Sequence, residues 1–270
     1  MRYGDYDVVA PLASGGMGGV YLATHRTTGD RVALKVLASQ FANSDDVVER
    51  LYAERAVSAK ASHPGLIDIR AAGRSSDDVP FLVMEYLEGE TLATILGRGA
   101  LEMEAIVTLC AQIAAALAAL HEAGVVHCDV KPENLFVQSN GAVKVIDFGV
   151  SRGVNDEPLD SIAGTPAYMA PEQWKGTPAL ASDVYSLGCV MYELVTGDVP
   201  FDGSLPELMN AHMERRPARV SWLRSAVPVE IERLITRALS KAPGLRPTML
   251  EMARSLGRLV AHTMPLRLAG

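Results

Sequence analysis

Cysteine is scarce in this chain of 270 residues, which contains only Cys110, Cys128 and Cys189. The three lie far apart, and none belongs to a paired motif of the Cys-x-x-Cys kind that holds zinc. The sequence therefore indicates neither a disulfide framework nor a cysteine zinc site. A reducing compartment is the natural setting for such a chain, and we expect a cytoplasmic protein.

An excess of positive charge is also missing. Lysine and arginine number 25 against 32 aspartates and glutamates, which gives a net charge of −7 at pH 7. Proteins that bind nucleic acid or anionic membranes usually carry a basic tract or patch, and none stands out here. We therefore expect neither a nucleic-acid substrate nor a membrane partner.

Long hydrophobic segments are absent as well. The longest weakly polar run, residues 105–120, has sixteen residues, whereas a bilayer-spanning helix needs about 20. The run predicts a buried core helix that ends at Gly124. The N-terminus carries early acids and no apolar core of a signal peptide. With no low-complexity linker in the chain, we expect a stand-alone soluble protein without a sensor domain.

Two short strings carry the chemistry, HCDVKPEN from residue 127 and DFG from residue 147. Phosphoryl transfer from ATP requires an oriented hydroxyl and neutralised phosphate charge. Asp129 can accept or orient the hydroxyl proton, and Lys131 can reach the transferring phosphate from the same turn. Asn134 and Asp147 offer the oxygen ligands that Mg²⁺ prefers. The four residues predict a site for ATP with Mg²⁺, or with Mn²⁺ as an alternative ion.

The two strings resemble the catalytic loop, H-R-D-L-x-x-x-N, and the metal-binding D-F-G loop of eukaryotic-type serine/threonine protein kinases. Cys128 stands in place of the arginine. The strings SGGMGGVYLA and GTPAYMAPEQ are most similar to the bacterial members of this family. The resemblance implies an α+β protein-kinase fold over residues 1–260, followed by a tail at 261–270. A small antiparallel-sheet lobe with one helix is expected over about residues 1–86, and a larger, mainly helical lobe over 87–260.

Glycines are concentrated in LASGGMGGVY, which begins at Leu12. Such a turn lets backbone amides approach phosphates closely, although a hairpin turn without a ligand has the same composition. The stretch resembles the kinase glycine-rich loop, G-x-G-x-x-G-x-V, with Ala13 in place of the first glycine. The resemblance implies nucleotide contacts from Leu12, Gly15, Gly16, Gly18 and Val20.

The apolar string VALK predicts a short strand that carries Lys35 inward. A buried lysine is costly unless a carboxylate pairs with it. The segment 44–61, rich in helix formers and with Ser44 or Asn43 available as N-cap, offers Glu49 and Glu54. The resemblance favours Glu54, which precedes a His-Pro turn as in the family, and leaves Glu49 on the surface.

The string FLVMEYLEGETL from residue 81 reads as a buried strand that ends at acidic and glycine residues. This resembles the hinge between kinase lobes, where the adenine of ATP binds. The implied contacts are the backbone groups of Glu85 and Leu87 and the side chains of Val20, Ala33, Met84 and Phe136.

Residues 164–172, GTPAYMAPE, closely resemble the end of the kinase activation segment, the platform for a peptide substrate. This implies protein substrates. Thr165 occupies the position that contacts the catalytic aspartate and lysine in serine/threonine-specific enzymes. Glu172 would be buried, with Arg246 in the position that the family uses to pair with it, and Asp183 would anchor the catalytic-loop backbone.

Cys128 bears on regulation. The family arginine at this position often pairs with a phosphate on the activation segment, a bond that a thiol cannot make. Between residues 150 and 163 the hydroxyl residues are Ser151 and Ser161. We therefore hypothesise that activity does not depend on phosphorylation of this segment, even if Ser161 is modified in trans. Redox sensing is disfavoured, because the charge of Asp129 opposes thiolate formation.

Three functions are compatible with these residues. The favoured one is an ATP-dependent protein serine/threonine kinase that also autophosphorylates, for which a homodimer is one arrangement. A catalytically dead ATP-binding scaffold is the alternative, motivated by the departures at Ala13 and Cys128. A small-molecule kinase of related fold is disfavoured by the intact peptide platform.

Overall fold

The computed structural model describes residues 1–154, 156 and 164–263. The fold is of the predicted α+β class, with an antiparallel sheet followed by a larger, mainly helical part. The strands of this sheet are β1 (Arg2–Tyr3), β2 (Tyr6–Gly15), β3 (Gly18–His25), β4 (Arg31–Leu37), β5 (Ile69–Arg74) and β6 (Pro80–Glu85). They are ordered β1-β2-β3-β4-β6-β5, and each neighbouring pair is antiparallel.

The sequence of strand β4, RVALKVL, explains the orientation of Lys35. Successive side chains of a strand point to opposite faces of the sheet. Val32, Leu34 and Val36 pack in an apolar cluster on one face. Lys35 therefore projects from the other face, towards the helix α1 (Asp45–Lys60).

Helix α1 packs against β5 and β6. Its buried residues recur at every third position, which places them on one face of the helix; they are Val48, Leu51, Glu54 and Val57. Of the two predicted N-cap candidates, Ser44 is the N-cap residue, but its side chain makes no capping hydrogen bond. Glu49 is exposed. The helix thus presents one carboxylate, Glu54, towards the sheet.

The helical part is built around α4 (Leu180–Thr196), in which thirteen of seventeen residues are buried. The other helices described here are α2 (Leu92–Leu96), α3 (Met103–Glu122), α5 (Leu205–Glu214), α6 (Val220–Leu223), α7 (Val229–Ala238) and α8 (Met249–Thr263). Helices α3, α6, α7 and α8 all contact α4. A helix that is apolar on nearly all sides, as α4 is, belongs in a protein core.

Helix α3 is long and apolar enough, by length and composition alone, to cross a bilayer. Its most apolar window is 56% buried inside the protein, and the helix packs against α8, α4 and a short strand at Val143–Val145. Gly124 follows its end in the left-handed conformation, with φ of 72°. Helix α3 is thus the buried core helix that the sequence predicts.

Two small sheets hold the loops that carry the candidate catalytic residues. One contains β7 (Gly89–Thr91), β9 (Leu135–Gln138) and β10 (Val143–Val145), and the other pairs β8 (Val125–Val126) with β11 (Arg152–Gly153). The HCDVKPEN string therefore connects β8 to β9, and the DFG string follows β10. The predicted lobe boundary at residue 86 falls between β6 and β7, and the division there stays a prediction.

Candidate active site

One buried carboxylate, that of Asp183 in α4, holds the backbone of the catalytic loop. Its oxygens accept hydrogen bonds from the backbone N–H groups of His127 at 2.8 Å and Cys128 at 2.9 Å. Nε2 of His121, in the last turn of α3, lies 2.8 Å from the same carboxylate. These contacts support the left-handed backbone of Cys128, whose φ is 68°. The anchoring by Asp183 was expected, whereas the contact with His121 was not.

His127, expected to be a hydrogen-bonded core residue, is fully buried. Its Nδ1 accepts a hydrogen bond from the backbone N–H of Asp129 at 3.2 Å. Its ring packs edge-on against Phe148, with 5.7 Å between ring centroids. His127 therefore positions the loop that carries Asp129.

Asp129 lies in a network with three other predicted site residues. Nζ of Lys131 is 2.8 Å from Oδ2 of Asp129 and donates to Oγ1 of Thr165 at 2.6 Å. The hydroxyl of Thr165 in turn donates to Oδ1 of Asp129 at 2.8 Å. Nδ2 of Asn134 donates to the backbone oxygen of Asp129 at 2.9 Å and to Oδ2 at 3.1 Å. The carboxylate of Asp129 is thereby fixed in orientation without being removed from the cleft.

Lys35 bridges the two parts of the fold. Its Nζ donates to both carboxylate oxygens of Glu54, at 2.6 and 2.8 Å, and to Oδ1 of Asp147 at 2.8 Å. The predicted pairing of Lys35 with Glu54 is present. Asp147 adopts a left-handed backbone with φ of 65°, and its Oδ1 also accepts from the N–H of Gly149 at 3.2 Å.

One ammonium group serves two carboxylates here, and their pKa values reflect this. Burial raises the pKa of Glu54 to about 7, against the opposing effect of Lys35. Burial acts to lower the pKa of Lys35, but Glu54 and Asp147 more than offset it, so that this pKa lies above its usual value. Burial acts to raise the pKa of Asp147, and Lys35 outweighs it, so that this pKa is lowered. The site therefore retains negative charge that an added cation would balance.

The donor set around Asp147 fits Mg²⁺. Asn134 uses its amide nitrogen for both bonds to Asp129, which leaves the amide oxygen, and Lys35 engages one oxygen of Asp147. No group of three or more His, Cys, Asp or Glu that could hold a metal occurs among the described residues. Two oxygen donors beside a phosphate site suit an ion that keeps several waters and shares phosphate oxygens.

The glycine-rich loop is the turn between β2 and β3, and it closes over a cavity of about 590 Å³. The cavity is lined by the loop from Ala13 to Val20 and by every predicted catalytic and metal-binding residue except Thr165. A Cβ on Gly18 would lie 2.0 Å from the carbonyl oxygen of Val36, so a side chain is excluded there. Ala13 pairs with Val20 in the hairpin, directly after a shift of register between Pro11 and Ala13.

Of the residues implied for adenine, Val20 lines this cavity, whereas the others lie outside the lining; these are Ala33, Met84, Glu85, Leu87 and Phe136. Leu12, implied as a nucleotide contact, also lies outside it. Ala33 and Met84 are opposite each other in β4 and β6, and Phe136 is opposite Thr91 in β9 and β7. Ala33, Met84 and Phe136 thus lie in strands on either side of the connection between the two parts of the fold. Their contacts with a nucleotide stay predictions.

The peptide platform is tied directly to the catalytic loop. Gly164 has a φ of 121°, and a Cβ there would lie 2.9 Å from the carbonyl oxygen of Cys128. Nε2 of Gln173 donates to that same carbonyl at 2.8 Å, while its Oε1 accepts from the N–H of Ala170 at 3.0 Å. Gln173 was not among the predicted site residues; its place after the Ala-Pro-Glu string was the available signal.

Glu172 and Arg246 form the expected ion pair. Two guanidinium nitrogens donate to the two carboxylate oxygens, at 2.6 and 2.9 Å. The hydroxyl of Ser182 donates to Glu172 at 2.6 Å. Arg246 also donates to the backbone oxygens of Ser240, Ala181 and Lys241, at 2.8 to 3.1 Å. The pair is therefore fully hydrogen-bonded in the interior.

The Cys128 thiol is 2% exposed, and burial is the largest cause of its raised pKa, followed by the charge of Asp183. The sequence had pointed to Asp129, which contributes less. The conclusion that the thiolate is disfavoured is supported, with a corrected cause. Ser151 donates to the backbone oxygen of His127 at 3.1 Å. Ser161 and most of the predicted tail lie outside the described residues.

Comparison with known proteins gives one family and many relatives. The family model described as "Protein kinase domain" matches residues 6–256. A probable serine/threonine-protein kinase PknB of Corynebacterium glutamicum is 36% identical over 270 residues, covering 94% of this chain and 42% of the relative. Serine/threonine-protein kinase PknA of Mycobacterium tuberculosis is 39% identical over 254 residues, covering 90% and 58%. Serine/threonine-protein kinase PrkC of Bacillus subtilis is 33% identical, covering 89% and 38%.

These relatives are longer proteins. The chain spans between 38% and 58% of the length of these relatives, and about nine tenths of its own length or more is matched in each. What the relatives share with it is therefore the folded unit described above.

Proposed function

This chain belongs to the protein kinase domain family, and we propose that it transfers the γ-phosphate of ATP to serine and threonine hydroxyls of proteins. The contact of Thr165 with both Asp129 and Lys131 carries this proposal. This contact joins the peptide platform to Asp129 and Lys131, the carboxylate and the cation that phosphoryl transfer requires. A hydroxyl nucleophile laid along residues 164–172 would lie beside Asp129.

Each residue of the network has a defined task in this reaction. Asp129 orients the attacking hydroxyl and accepts its proton. Lys131 neutralises charge on the transferring phosphate, and Lys35, oriented by Glu54, holds the other phosphates. Asn134 and Asp147 would hold Mg²⁺, which supplies the remaining neutralisation of phosphate charge.

The scaffold alternative has weak support in this geometry. Ala13 lies in the β2–β3 ladder, and Cys128 points its thiol towards the backbone oxygen of Val126, 3.7 Å away. Neither substitution removes a group that faces the cleft. The complete set of Lys35, Asp129 and Asp147 favours a working enzyme.

We further propose that activity does not depend on phosphorylation of the segment 150–163. The contacts that hold the catalytic loop in place come from Asp183, Gln173 and Thr165, and none of them needs a phosphate. Autophosphorylation at Ser161 then follows from activity without being required for it. A cytoplasmic location is part of the proposal, supported by three buried, unpaired cysteines.

The test is incorporation of labelled γ-phosphate into the purified protein and into a generic basic protein, with Mg²⁺. We expect incorporation by the wild type and by Ser161→Ala, and none by Asp129→Asn. Wild-type protein that binds ATP as tightly as Asp129→Asn but transfers no phosphate would support the scaffold instead. Loss of activity in Ser161→Ala would contradict independence from loop phosphorylation.

Autophosphorylation in trans has a separate test. Asp129→Asn protein, which cannot act, is mixed with a smaller amount of wild type carrying a size tag. Label on the inactive copy would show reaction between molecules. Label confined to the tagged copy at every dilution would show reaction within one molecule.

A further inference from the structure

A groove in the helical part has a volume of about 1020 Å³, which exceeds the roughly 590 Å³ of the cleft. It lies between the end of α4, the segment from Arg216 to Trp222, and α7 with the residues that follow it. The groove and the cleft share no lining residue. We call it the C-lobe groove.

The charge of the C-lobe groove is opposite to that of the chain. Its lining contains Arg216, Arg219 and Lys241 and no aspartate or glutamate, in a protein of net charge −7. The active-site cleft, by contrast, is lined by carboxylates as well as cations, among them Glu54 and Asp147. A local surplus of cations in an acidic protein creates a field that attracts anionic groups.

The three cations differ in what they can offer a ligand. Nζ of Lys241 already donates to the hydroxyl of Tyr185 at 3.2 Å and to the backbone oxygens of Ala211 and His212 at 3.1 and 2.7 Å. Burial is the main cause that lowers the pKa of Lys241 to about 8. Its hydrogen-bonding capacity is used within the fold, which makes it part of the wall of the groove.

Arg216 and Arg219, in contrast, are exposed, and neither forms an ion pair with the described residues. The guanidinium of Arg219 lies 5.8 Å from the ring centre of Trp222. Glu232, on the adjacent helix α7, accepts a hydrogen bond from Ser221 at 2.7 Å. Two planar, charged donors thus remain available at the rim of the groove.

The groove also presents apolar surface. Trp222 is 74% exposed and Leu245 is 68% exposed, while Ile235 and Leu239 form a floor that is nearly inaccessible to solvent. Single exposed apolar residues are common, but apolar residues that share one groove with polar residues at its rim are typical of interaction sites. Tryptophan and arginine are the residues that most often dominate binding energy at protein interfaces.

We propose that the C-lobe groove binds a short acidic segment of a partner protein. An apolar side chain of that segment packs between Trp222 and Leu245, and its flanking carboxylates pair with Arg216 and Arg219. The occupant is acidic because the lining carries cations without acids, and it is a peptide because bidentate carboxylate pairing beside an apolar floor suits alternating acidic and apolar side chains. The groove brings a partner to the protein without occupying the cleft.

The test is selection of peptides from a random phage-displayed library on the full chain, followed by measurement of their affinity by fluorescence anisotropy. We expect the selected peptides to combine acidic residues with an apolar one. Their affinity should fall on the order of tenfold in Arg216→Glu and in Arg219→Glu, and again in Trp222→Ala. Binding should weaken as salt concentration rises.

Arg55→Glu and Arg233→Glu are the matched controls, because both arginines are exposed, lie outside the lining and undergo the same charge reversal. Equal loss of affinity in controls and groove variants would overturn the proposal. Selected peptides that lack acidic residues would also overturn it, as would peptides that bind unchanged to the variant combining Arg216→Glu, Arg219→Glu and Trp222→Ala. A change of oligomeric state in the groove variants would assign the groove to a second copy of the chain and also overturn it. Unfolding temperature and phosphate transfer should match wild type in every variant. These two measurements show a failure of folding or of the proposed enzymatic function separately from a loss of peptide binding.

Discussion

Two ion pairs, one in the cleft and one in the helical part, balance the charges of their side chains in different ways. In the cleft, Lys35 is shared between Glu54 and Asp147, and the side chain of Asp147 is 45% exposed. In the interior, Arg246 meets a single carboxylate, Glu172, through two bonds and spends its remaining donors on backbone oxygens. The first arrangement leaves charge unbalanced, and the second leaves none.

This difference in charge balance suits the cleft pair to ligand binding and the interior pair to stability of the fold. Unbalanced negative charge beside an open cavity costs free energy in the empty protein, and it becomes favourable when a metal ion and phosphates arrive. A fully bonded pair offers nothing to a ligand, but removal of either member strands a buried charge. We therefore expect changes in the interior pair to act on folding and changes in the cleft to act on catalysis.

The largest expected effect comes from Arg246→Met, which leaves Glu172 buried without its cation. Unfolding free energy should fall by about 3–5 kcal/mol, as measured by urea denaturation. The double variant Arg246→Met with Glu172→Gln should lose less than Arg246→Met alone, because the stranded charge is gone. A double variant as unstable as the single one would show that packing, and not charge, sets the cost.

The next largest effect comes from Asp147→Asn in the cleft. Removal of one electrostatic contact to the transition state costs about 100- to 1,000-fold in rate. Lys35 keeps its two bonds to Glu54, so unfolding free energy should change by about 1 kcal/mol or less. Phosphate incorporation per minute measures the rate, and the midpoint of urea denaturation measures the change in stability. A variant that unfolds as easily as Arg246→Met would erase the distinction between the two pairs.

A smaller effect concerns pH and Glu54. Its pKa in the folded protein, about 7, lies above the ordinary value of 4.5. The folded state therefore holds this proton more tightly than the unfolded state does, and the resulting stability is full below pH 4.5 and is lost as pH rises through 7. The stability of wild type relative to Glu54→Gln should fall on the order of 1–3 kcal/mol between pH 5 and pH 8.

Glu49→Gln is the control for this experiment, because Glu49 is an exposed carboxylate on the same helix. Its unfolding free energy should stay within about 0.5 kcal/mol of wild type. Chemical denaturation at several pH values measures all three proteins. A difference between wild type and Glu54→Gln that does not change with pH would mean that Lys35 balances Glu54 completely.

The comparison of the two pairs also shows what sequence alone can predict. Both partners of each pair were predicted, because they fall in motifs that the family resemblance aligns, and alternation along β4 independently turns Lys35 inward. The contact of His121 with Asp183 joins residues 62 apart on two helices. No local pattern signals that approach, since it depends on how α3 crosses α4.

Gln173 and the C-lobe groove show the same limit. Gln173 reaches the carbonyl of Cys128 from 45 residues away. Its place after the Ala-Pro-Glu string was a signal that the residue matters, but nothing in the sequence indicates which group it contacts. The groove is formed by parts of α4, α6 and α7 and by the loops beside them, and Arg216 and Trp222 are unremarkable in the sequence. Side chains whose role depends on tertiary packing were found only once the fold was known.

The smallest expected effect is at Cys128, in the catalytic loop between the cleft and the helical part. We expect its thiol not to react in the native protein. Its thiol is 2% exposed, and burial and Asp183 raise its pKa. Since the thiolate is the reactive form, a thiol-specific reagent at pH 8 should leave the native protein unlabelled and modify all three cysteines after denaturation. Ser225→Cys, which adds a thiol at an exposed position, is the positive control. Rapid labelling of native wild type that disappears in Cys128→Ser would instead show that the catalytic loop opens to solvent, and redox control at this position would have to be reconsidered.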